Sequence, residues 1–442
     1  MKRTANLIVQ HLLWRGLYFF SVLILNILIS RFFAAEKSGQ IFYIINNLSF
    51  VLLLVSMSLE SGAVFFISSG KLDGLQMARF FVIWTLFAAT VAALLWWLGL
   101  HFTGSAFSRN SGFLGASLLF IGGVLMTSFF NALFYAKQQF ALSNKILFGV
   151  NLALIVLLIS GNHSGLVSKH FLLLYFFTYF LQGLLLMLVY FIWYPEKKIS
   201  GLPASTVLKK VFRYAAAALA ANVIYFLVNR MDYWFVERYC SAGDLGNYIQ
   251  ASKLGQMMLI VPSILAATLF PLLSSREQIN DGKQLQSIIR TLLWLNICIS
   301  LPLICFGSFL FPAVFGRSFD NLYRLFILLI PGILAFTANY PLAAWFSARD
   351  RIGINITGSI LALLVILAGD LLILPRAGVL AASCISSVGY FCYYCYTLVR
   401  YRKENASPLK DFLIIRKNDL QWIFSLMKNK ISGTFPEKPI AP

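Results

Sequence analysis

Ionisable side chains set inside apolar runs are the first candidates for chemistry in this chain. Arg230, Asp232 and Lys253 stand within ANVIYFLVNRMDYWFVERYCSAGDLGNYIQASKLGQMM, residues 221–258, where two apolar stretches flank a short polar hinge. A Lys or Arg at the middle of a membrane helix costs roughly 2.5–3.5 kcal/mol on insertion scales, so a residue of this kind is a functional candidate by default. At helical spacing Asn222, Tyr225, Asn229, Asp232 and Tyr233 share one face, with Arg230 beside it. Asn247, Gln250 and Lys253 form a second polar stripe, and His11, Arg15, Tyr18 and Asn26 a third. Lipid does not tolerate such stripes, which therefore line an interior cavity or a buried interface. Together they describe a polar, partly cationic path through a membrane. The plainer reading makes Arg230 and Asp232 structural glue and lets Arg15 reach the surface along its own stem.

The elements that must position these residues follow from composition. The chain has 442 residues, 59% of them hydrophobic and 12% charged. A soluble domain carries roughly 25% charged residues, so the composition excludes one. About twelve apolar runs approach the ~20 residues needed to cross the hydrocarbon core. They lie near 11–32, 40–60, 80–100, 113–136, 144–160 and 170–194, then 213–236, 246–273, 289–315, 321–347, 352–374 and 378–400. The expected class is an all-α polytopic membrane protein of about twelve transmembrane helices in two six-helix lobes. The lobes are expected at 1–195 and 213–401, joined by a cytoplasmic linker at 196–212 and followed by a tail at 402–442. No connection is long enough for a folded extramembrane domain, and no metal or cofactor pattern appears. The opening Met1-Lys2-Arg3 precedes an apolar run long enough to stay in the membrane, so no cleaved leader is expected.

The net charge of +20 is distributed as topology information. Lys71, Arg79, Lys137, Lys145, the linker lysines 197, 198, 209 and 210, Arg276, Lys283, Arg290, Arg349 and Arg351 fall on one set of alternate loops. The opposite set holds fewer cations. Under the positive-inside rule both termini are cytoplasmic. The basic residues form no soluble module, which argues against a nucleic-acid partner. Six cysteines imply no disulfide framework. Cys392 and Cys395 form a C-x-x-C inside an apolar run, where buried, inert thiols are expected.

The halves carry matching landmarks in matching order. Gly39-Gln-Ile-Phe-Tyr lines up with Gly246-Asn-Tyr-Ile-Gln, and Ala136-Lys-Gln-Gln-Phe-Ala with Ala348-Arg-Asp-Arg-Ile-Gly. Six helices per half make any such repeat parallel, about an axis along the membrane normal. Seven residues after Gly246 stands Lys253, and at the same offset from Gly39 stands Asn46, so the cationic surplus belongs to the second half. Prolines 262, 271, 302, 312, 331 and 341 cluster there too and predict bent helices. Asp370, close to Arg376, reads as interfacial, and Glu237 and Arg238 as parts of the outer hinge. In the tail, Ser407-Pro408 predicts a helix start. Phe412, Ile415, Ile423, Phe424 and Met427, alternating with Lys410, Arg416, Lys417, Lys428 and Lys430, predict a basic amphipathic helix lying on the cytoplasmic leaflet.

The segment NRMDYWFVERYCSAGDLGNYIQASKL, followed by LAATLFPLLS, resembles the middle signature of Wzx-type polysaccharide flippases. That family shares a superfamily with the MATE drug exporters and the bacterial lipid II flippase. VFGRSFDNLYRLFILLIPG and SARDRIGINITGSILALLVILAGDLLILPRAGVLAAS resemble its later half. The resemblance spans the twelve helices and is more specific in the second half. It implies a two-lobed transporter working by alternating access. The implied cargo is an undecaprenyl-diphosphate-linked oligosaccharide, moved across the bacterial cytoplasmic membrane for surface polysaccharide such as O-antigen or capsule. Under it, Arg15, Arg230 and Lys253 draw the diphosphate, Asn222, Asn229 and Gln250 contact sugars, and Asp232 takes a coupling proton or holds Arg230. Partners implied besides the lipid-linked oligosaccharide and membrane lipids are a polysaccharide polymerase and a chain-length regulator. One departure is that the first half is poor in intramembrane charge, so a symmetric site is not expected.

Two other classes compete. A MATE-like exporter of organic cations should hold acids in its cavity, whereas the surplus here is cationic. A membrane glycosyltransferase or polysaccharide polymerase should carry its acid and base in a sizeable outer loop, and the sequence has none. The expected activity is transport, not catalysis.

Overall fold

The computed structural model describes residues 2–102, 111–161, 166–194, 201–266, 282–405, 408, 410–413 and 419. Among them the secondary structure is helical throughout, with no strands. In order the helices are α1 (Lys2–Ser56), α2 (Leu59–Ser68), α3 (Gly74–Phe102), α4 (Ser111–Ala136), α5 (Phe140–Gly161), α6 (Leu166–Trp193) and α7 (Ser205–Arg230). There follow α8 (Asp232–Tyr239), α9 (Ala242–Met258), α10 (Gly282–Phe315), α11 (Leu322–Ala348), α12 (Ile352–Leu372), α13 (Leu374–Ala377), α14 (Val379–Asn405) and α15 (Lys410–Leu413). Eleven stretches among the described residues are long and apolar enough to cross a membrane. The first, Leu13–Ser56, has 44 residues, far more than one crossing needs. It breaks at Ala34, where φ is 55° and ψ 178°, and divided there it yields the twelfth crossing.

Two further breaks bend the membrane helices. Met57 and Ser58 both adopt positive φ, 51° and 50°, a conformation that costs roughly 1–2 kcal/mol per non-glycine residue. Neighbouring side chains support this break: the Trp84 indole donates to the Val55 carbonyl at 3.1 Å, and the Asn222 amide to Ser58 Oγ at 3.0 Å. The other break falls at Leu259, three residues before Pro262, whose ring clashes with the carbonyl four residues back and leaves a helical bond unmade. Pro302, Pro312, Pro331 and Pro341 lie inside α10 and α11. Pro271 lies outside the described residues.

By contacts the chain divides into two compact units. The first comprises 6–33 and 41–223. Its core is aromatic: Phe120, Phe129, Phe130, Phe134 and Phe176 are fully buried, and Phe81 stacks on Phe129 with centroids 4.2 Å apart. Helices α4 and α6 meet at Gly123 and Gly183, where a Cβ on Gly123 would collide with the Phe180 backbone. Small residues at such crossings let membrane helices approach closely. The start of α7 also belongs to this unit: Val211 and Ala215 are fully buried, and Tyr214 stacks on Phe65 at 5.0 Å. Part of the expected linker at 196–212 is thus helix. The helix begins at Ser205, with Lys209 and Lys210 upon it, because its apolar face has α2 to pack against; the division by contacts falls between Val223 and Ile224. Lys197 and Lys198 lie outside the described residues.

The second unit comprises 1–5, 34–40 and 224–442. Its described core joins Leu285, Ile288, Ile289 and Leu292 of α10, Trp345 and Phe346 of α11, and Tyr394, Leu398 and Tyr401 of α14. Phe412 completes that core, fully buried and edge-on to Tyr401 at 5.7 Å. Parts of the tail expected on the leaflet meet protein. Asp419 pairs with buried Arg290 at 2.6 Å and accepts from Ser287 Oγ at 2.5 Å, while Arg290 also donates to the Asp411 carbonyl. These tail residues dock on protein because α10 offers a cation and α14 an aromatic pocket. Ile415, Arg416, Lys417, Ile423, Phe424, Met427, Lys428 and Lys430 lie outside the described residues.

Candidate functional site

The expected polar face of the second unit is assembled on α7, α8 and α9. Met231 separates α7 from α8 but keeps right-handed helical angles, so the face runs on from Asn229 to Tyr233. Asn229 is buried, its amide donating to the Tyr225 carbonyl at 2.8 Å while its own Oδ1 receives no donor. Arg230 is half-buried, with its guanidinium 5.4 Å from the Phe226 ring centre. Lys253, on α9, is also half-buried and lies within electrostatic reach of Arg230. Both cations stand on membrane-spanning segments. Gln250 is 1% exposed and its Oε1 has no donor. Tyr225 is exposed, and its hydroxyl meets that of Tyr340 at 3.0 Å.

Asp232 is the centre of a buried acidic cluster. One carboxylate oxygen accepts from the Tyr248 hydroxyl and from Ser386 Oγ, the latter at 2.8 Å, and the other oxygen has no donor. The two hydroxyls also meet each other at 3.1 Å. Asp370 on α12 lies within electrostatic reach of Asp232. It is fully buried, and neither of its oxygens has a hydrogen-bond partner. Asp370, read as interfacial, stands in the last turn of α12 and is covered there by protein. Its neighbours in space are α8 and α14, and the nearby charge in sequence, Arg376, belongs to the separate short helix α13. Ser383, buried with an unpartnered hydroxyl, stands one turn before Ser386 on α14. Buried carboxylate oxygens without donors are expensive unless a positive charge reaches them. The cluster is therefore equipped to hold one, as a proton or a small cation.

Arg15 and Asn222 belong to the first unit. Arg15 is half-buried, 5.7 Å from the Phe19 ring centre, in reach of Tyr18, which itself lies near Tyr135 and Tyr179. A hydrogen-bonded chain crosses three helices beside it. Gln182 donates to Asn151 at 2.7 Å, Asn151 to Ser21 at 3.0 Å, and the Tyr175 and Tyr179 hydroxyls meet at 3.0 Å. Where the sequence showed little charge, the first unit holds neutral amides and phenols. Asn46, the positional counterpart of Lys253, is 2% exposed, and neither of its amide atoms has a partner. Glu60, in the first turn after the Met57–Ser58 break, has one buried oxygen without a donor. Glu237 and Arg238, read as parts of the outer hinge, are exposed on α8. The His11 side chain lies outside the described residues.

Sequence reasoning missed Tyr248, Ser386 and Asp370. The available signal was the spacing of Ser383, Ser386 and Ser387, a polar stripe on an otherwise apolar helix. Among the described residues no group of three or more His, Cys, Asp or Glu could hold a metal ion. The cysteines are free thiols.

No curated protein sequence matches the chain. Solved structures do, over nearly its whole length. The lipid II flippase MurJ in an inward closed conformation is 14% identical with a TM-score of 0.67, over 96% of this chain and 94% of that one. An inward-facing multidrug resistance MATE family transporter is 11% identical with a TM-score of 0.64, over 88% and 94%. The Vibrio cholerae MATE transporter VcmN in its bent form is 13% identical with a TM-score of 0.61, over 94% and 100%. At such identities the likeness establishes the fold. The profile of the polysaccharide biosynthesis protein family matches residues 28–322, the greater part of the chain. The protein therefore belongs to the polysaccharide biosynthesis protein family, with the fold shared by the lipid II flippase and the MATE transporters.

Proposed function

We propose that this protein is a flippase that carries an undecaprenyl-diphosphate-linked oligosaccharide across the bacterial cytoplasmic membrane, with both termini cytoplasmic. The observation that carries the reading is that Arg230 and Lys253, both on membrane-spanning segments, lie within electrostatic reach of each other. Two cations so placed repel each other, and an anion that bridges them relieves the repulsion and repays desolvation. A diphosphate supplies that anion, Arg15 supports its capture in the first unit, and amides such as Asn229, Gln250 and Asn222 suit sugar hydroxyls. The polyprenyl tail needs no protein path because it is soluble in lipid. Transport proceeds by alternating access of two six-helix halves, coupled to a positive charge on Asp232 and Asp370. The product feeds surface polysaccharide such as O-antigen or capsule, alongside a polymerase and a chain-length regulator.

Replacing Lys253 or Arg230 with Ala is expected to lower glycan export while leaving membrane insertion unchanged, and Lys253→Arg to retain it. Wild-type export from both alanine variants would sink the cationic-path reading. A second reading, export of organic cations, draws on the unpartnered oxygens of Asp370 and Glu60. Energy-dependent efflux of a lipophilic cation, lost in Asp370→Asn and kept in Lys253→Ala, would favour it.

A further inference from the structure

We propose that Arg290 and Ser287, near the start of α10, form an oxyanion site that the tail fills with Asp419 and for which the phosphate group of an anionic phospholipid competes. The site lies within the second unit, and its occupant decides whether the tail stays docked.

Arg290 is the only charged residue between Gln284 and Phe315, a stretch long and apolar enough to cross a membrane, and it is 3% exposed. A cation so buried needs an anion against it. Its fork grips both ends of the Asp419 carboxylate: Nε donates to Oδ2 at 2.7 Å and Nη2 to Oδ1 at 2.6 Å. Ser287, one turn earlier on the same helix, donates to Oδ1 at 2.5 Å. Three donors converging on two oxygens suit a phosphate as well as a carboxylate, because the planar guanidinium fork matches both. All three come from α10, at a spacing of three residues that places both side chains on one face, so the cradle does not depend on the tail for its assembly.

The tail is also held by Nη1 of Arg290, which donates to the Asp411 carbonyl, and by Phe412, edge-on to a Tyr401 ring that meets Trp345 at 4.8 Å. Against these contacts works the charge of the tail itself. Between Ala406 and Pro442 stand six Lys or Arg and three Asp or Glu, so an anionic leaflet attracts the segment. Arg290 lies six residues, about 9 Å, beyond Gln284, where the crossing stretch begins, a depth from which a long cationic side chain meets lipid phosphates. An anionic lipid therefore acts on both partners at once: its phosphate takes the place of Asp419 on Arg290 while the leaflet draws the tail's cations. A zwitterionic lipid offers the phosphate without the net attraction. That the attracting leaflet is the cytoplasmic one rests on the orientation proposed above; the site itself does not.

The test uses the full chain. In detergent, Asp419→Ala should lower the melting temperature by several degrees, and millimolar inorganic phosphate should return most of the loss while chloride at equal ionic strength does not. The unaltered chain, whose site is occupied, should not respond, nor should Asp419→Ala combined with Arg290→Met. Should Asp419→Ala fail to fold, Asp419→Asn keeps the volume and carries the same arm. A second arm leaves Arg290, Ser287 and Asp419 in place. With the native cysteines replaced by serine, nitroxides on Gln284→Cys and Asp411→Cys should report one separation in phosphatidylcholine nanodiscs and a second, longer one when a third of the lipid is phosphatidylglycerol. Inorganic phosphate added to the phosphatidylcholine nanodiscs should leave the separation unchanged. A phosphate response that is absent from Asp419→Ala, or that survives Arg290→Met, would overturn the oxyanion site. A tail that stays docked in phosphatidylglycerol, or that free phosphate releases equally well, would overturn the lipid as its competitor. No glycan enters either arm, so these results stand apart from the cargo proposed above.

Discussion

Replacing Asp370 with Asn tests whether the buried acids of the second unit couple transport to an ion. The substitution keeps volume and removes one of two carboxylates within electrostatic reach of each other. In the unaltered chain Asp232 has hydroxyl donors on one oxygen only, and Asp370 has none. One positive charge shared between them makes good those missing interactions. Hydrogen bonds and contacts to charged groups are worth roughly 1.5–3 kcal/mol each, and 1.4 kcal/mol is tenfold. Loss of one carboxylate should therefore weaken retention of that charge by roughly 10- to 150-fold. The assay is cargo movement in proteoliposomes with an imposed proton or sodium gradient. The unaltered protein should respond to one of the two, and Asp370→Asn should lose the response while keeping slow, gradient-independent exchange. Tyr248→Phe, which removes a donor to Asp232, should alter the ion concentration that half-saturates transport. A full gradient response in Asp370→Asn would refute the reasoning.

Two predictions concern the frame. Removing one partner of a buried ion pair costs about 3–5 kcal/mol, whereas replacing both by apolar residues is often neutral. Arg290→Met and Asp419→Leu should each lower the melting temperature in detergent, and the double variant should recover most of the loss; equal losses in singles and double would show the pair to be uncoupled. Gly123→Ala should cost about 1–3 kcal/mol by overpacking the α4–α6 crossing, read as a lower melting temperature, whereas Gly149→Ala, where a Cβ meets open space, should not.

The crossings and the class were legible because an apolar run long enough to span a membrane is a property of contiguous residues. That Asn229, Arg230 and Asp232 stand close together was legible because they are neighbours on one turn. Asp370 stands at the helix end that its chain neighbours suggested, whereas its burial involves α8 and α14, remote in sequence. The Met57–Ser58 break carries no glycine or proline to announce it, and its supports, Trp84 and Asn222, come from other helices. The start of α7 was read as linker because four lysines outweighed Val211 and Ala215, whose burial depends on α2. In the tail, basic residues pointed to a leaflet, yet Phe412 and Asp419 are held by groups on α10 and α14 that no local pattern reveals.

The central claim is that an anionic, lipid-linked glycan crosses the membrane through this protein. Its most direct measurement is flipping of a fluorescent undecaprenyl-diphosphate oligosaccharide in proteoliposomes of the purified protein, followed by quenching from outside. The account predicts rapid protein-dependent loss of protected fluorescence, slowed by Lys253→Ala and Arg230→Ala. Flipping no faster than in protein-free vesicles, while the same vesicles transport an organic cation, would contradict it.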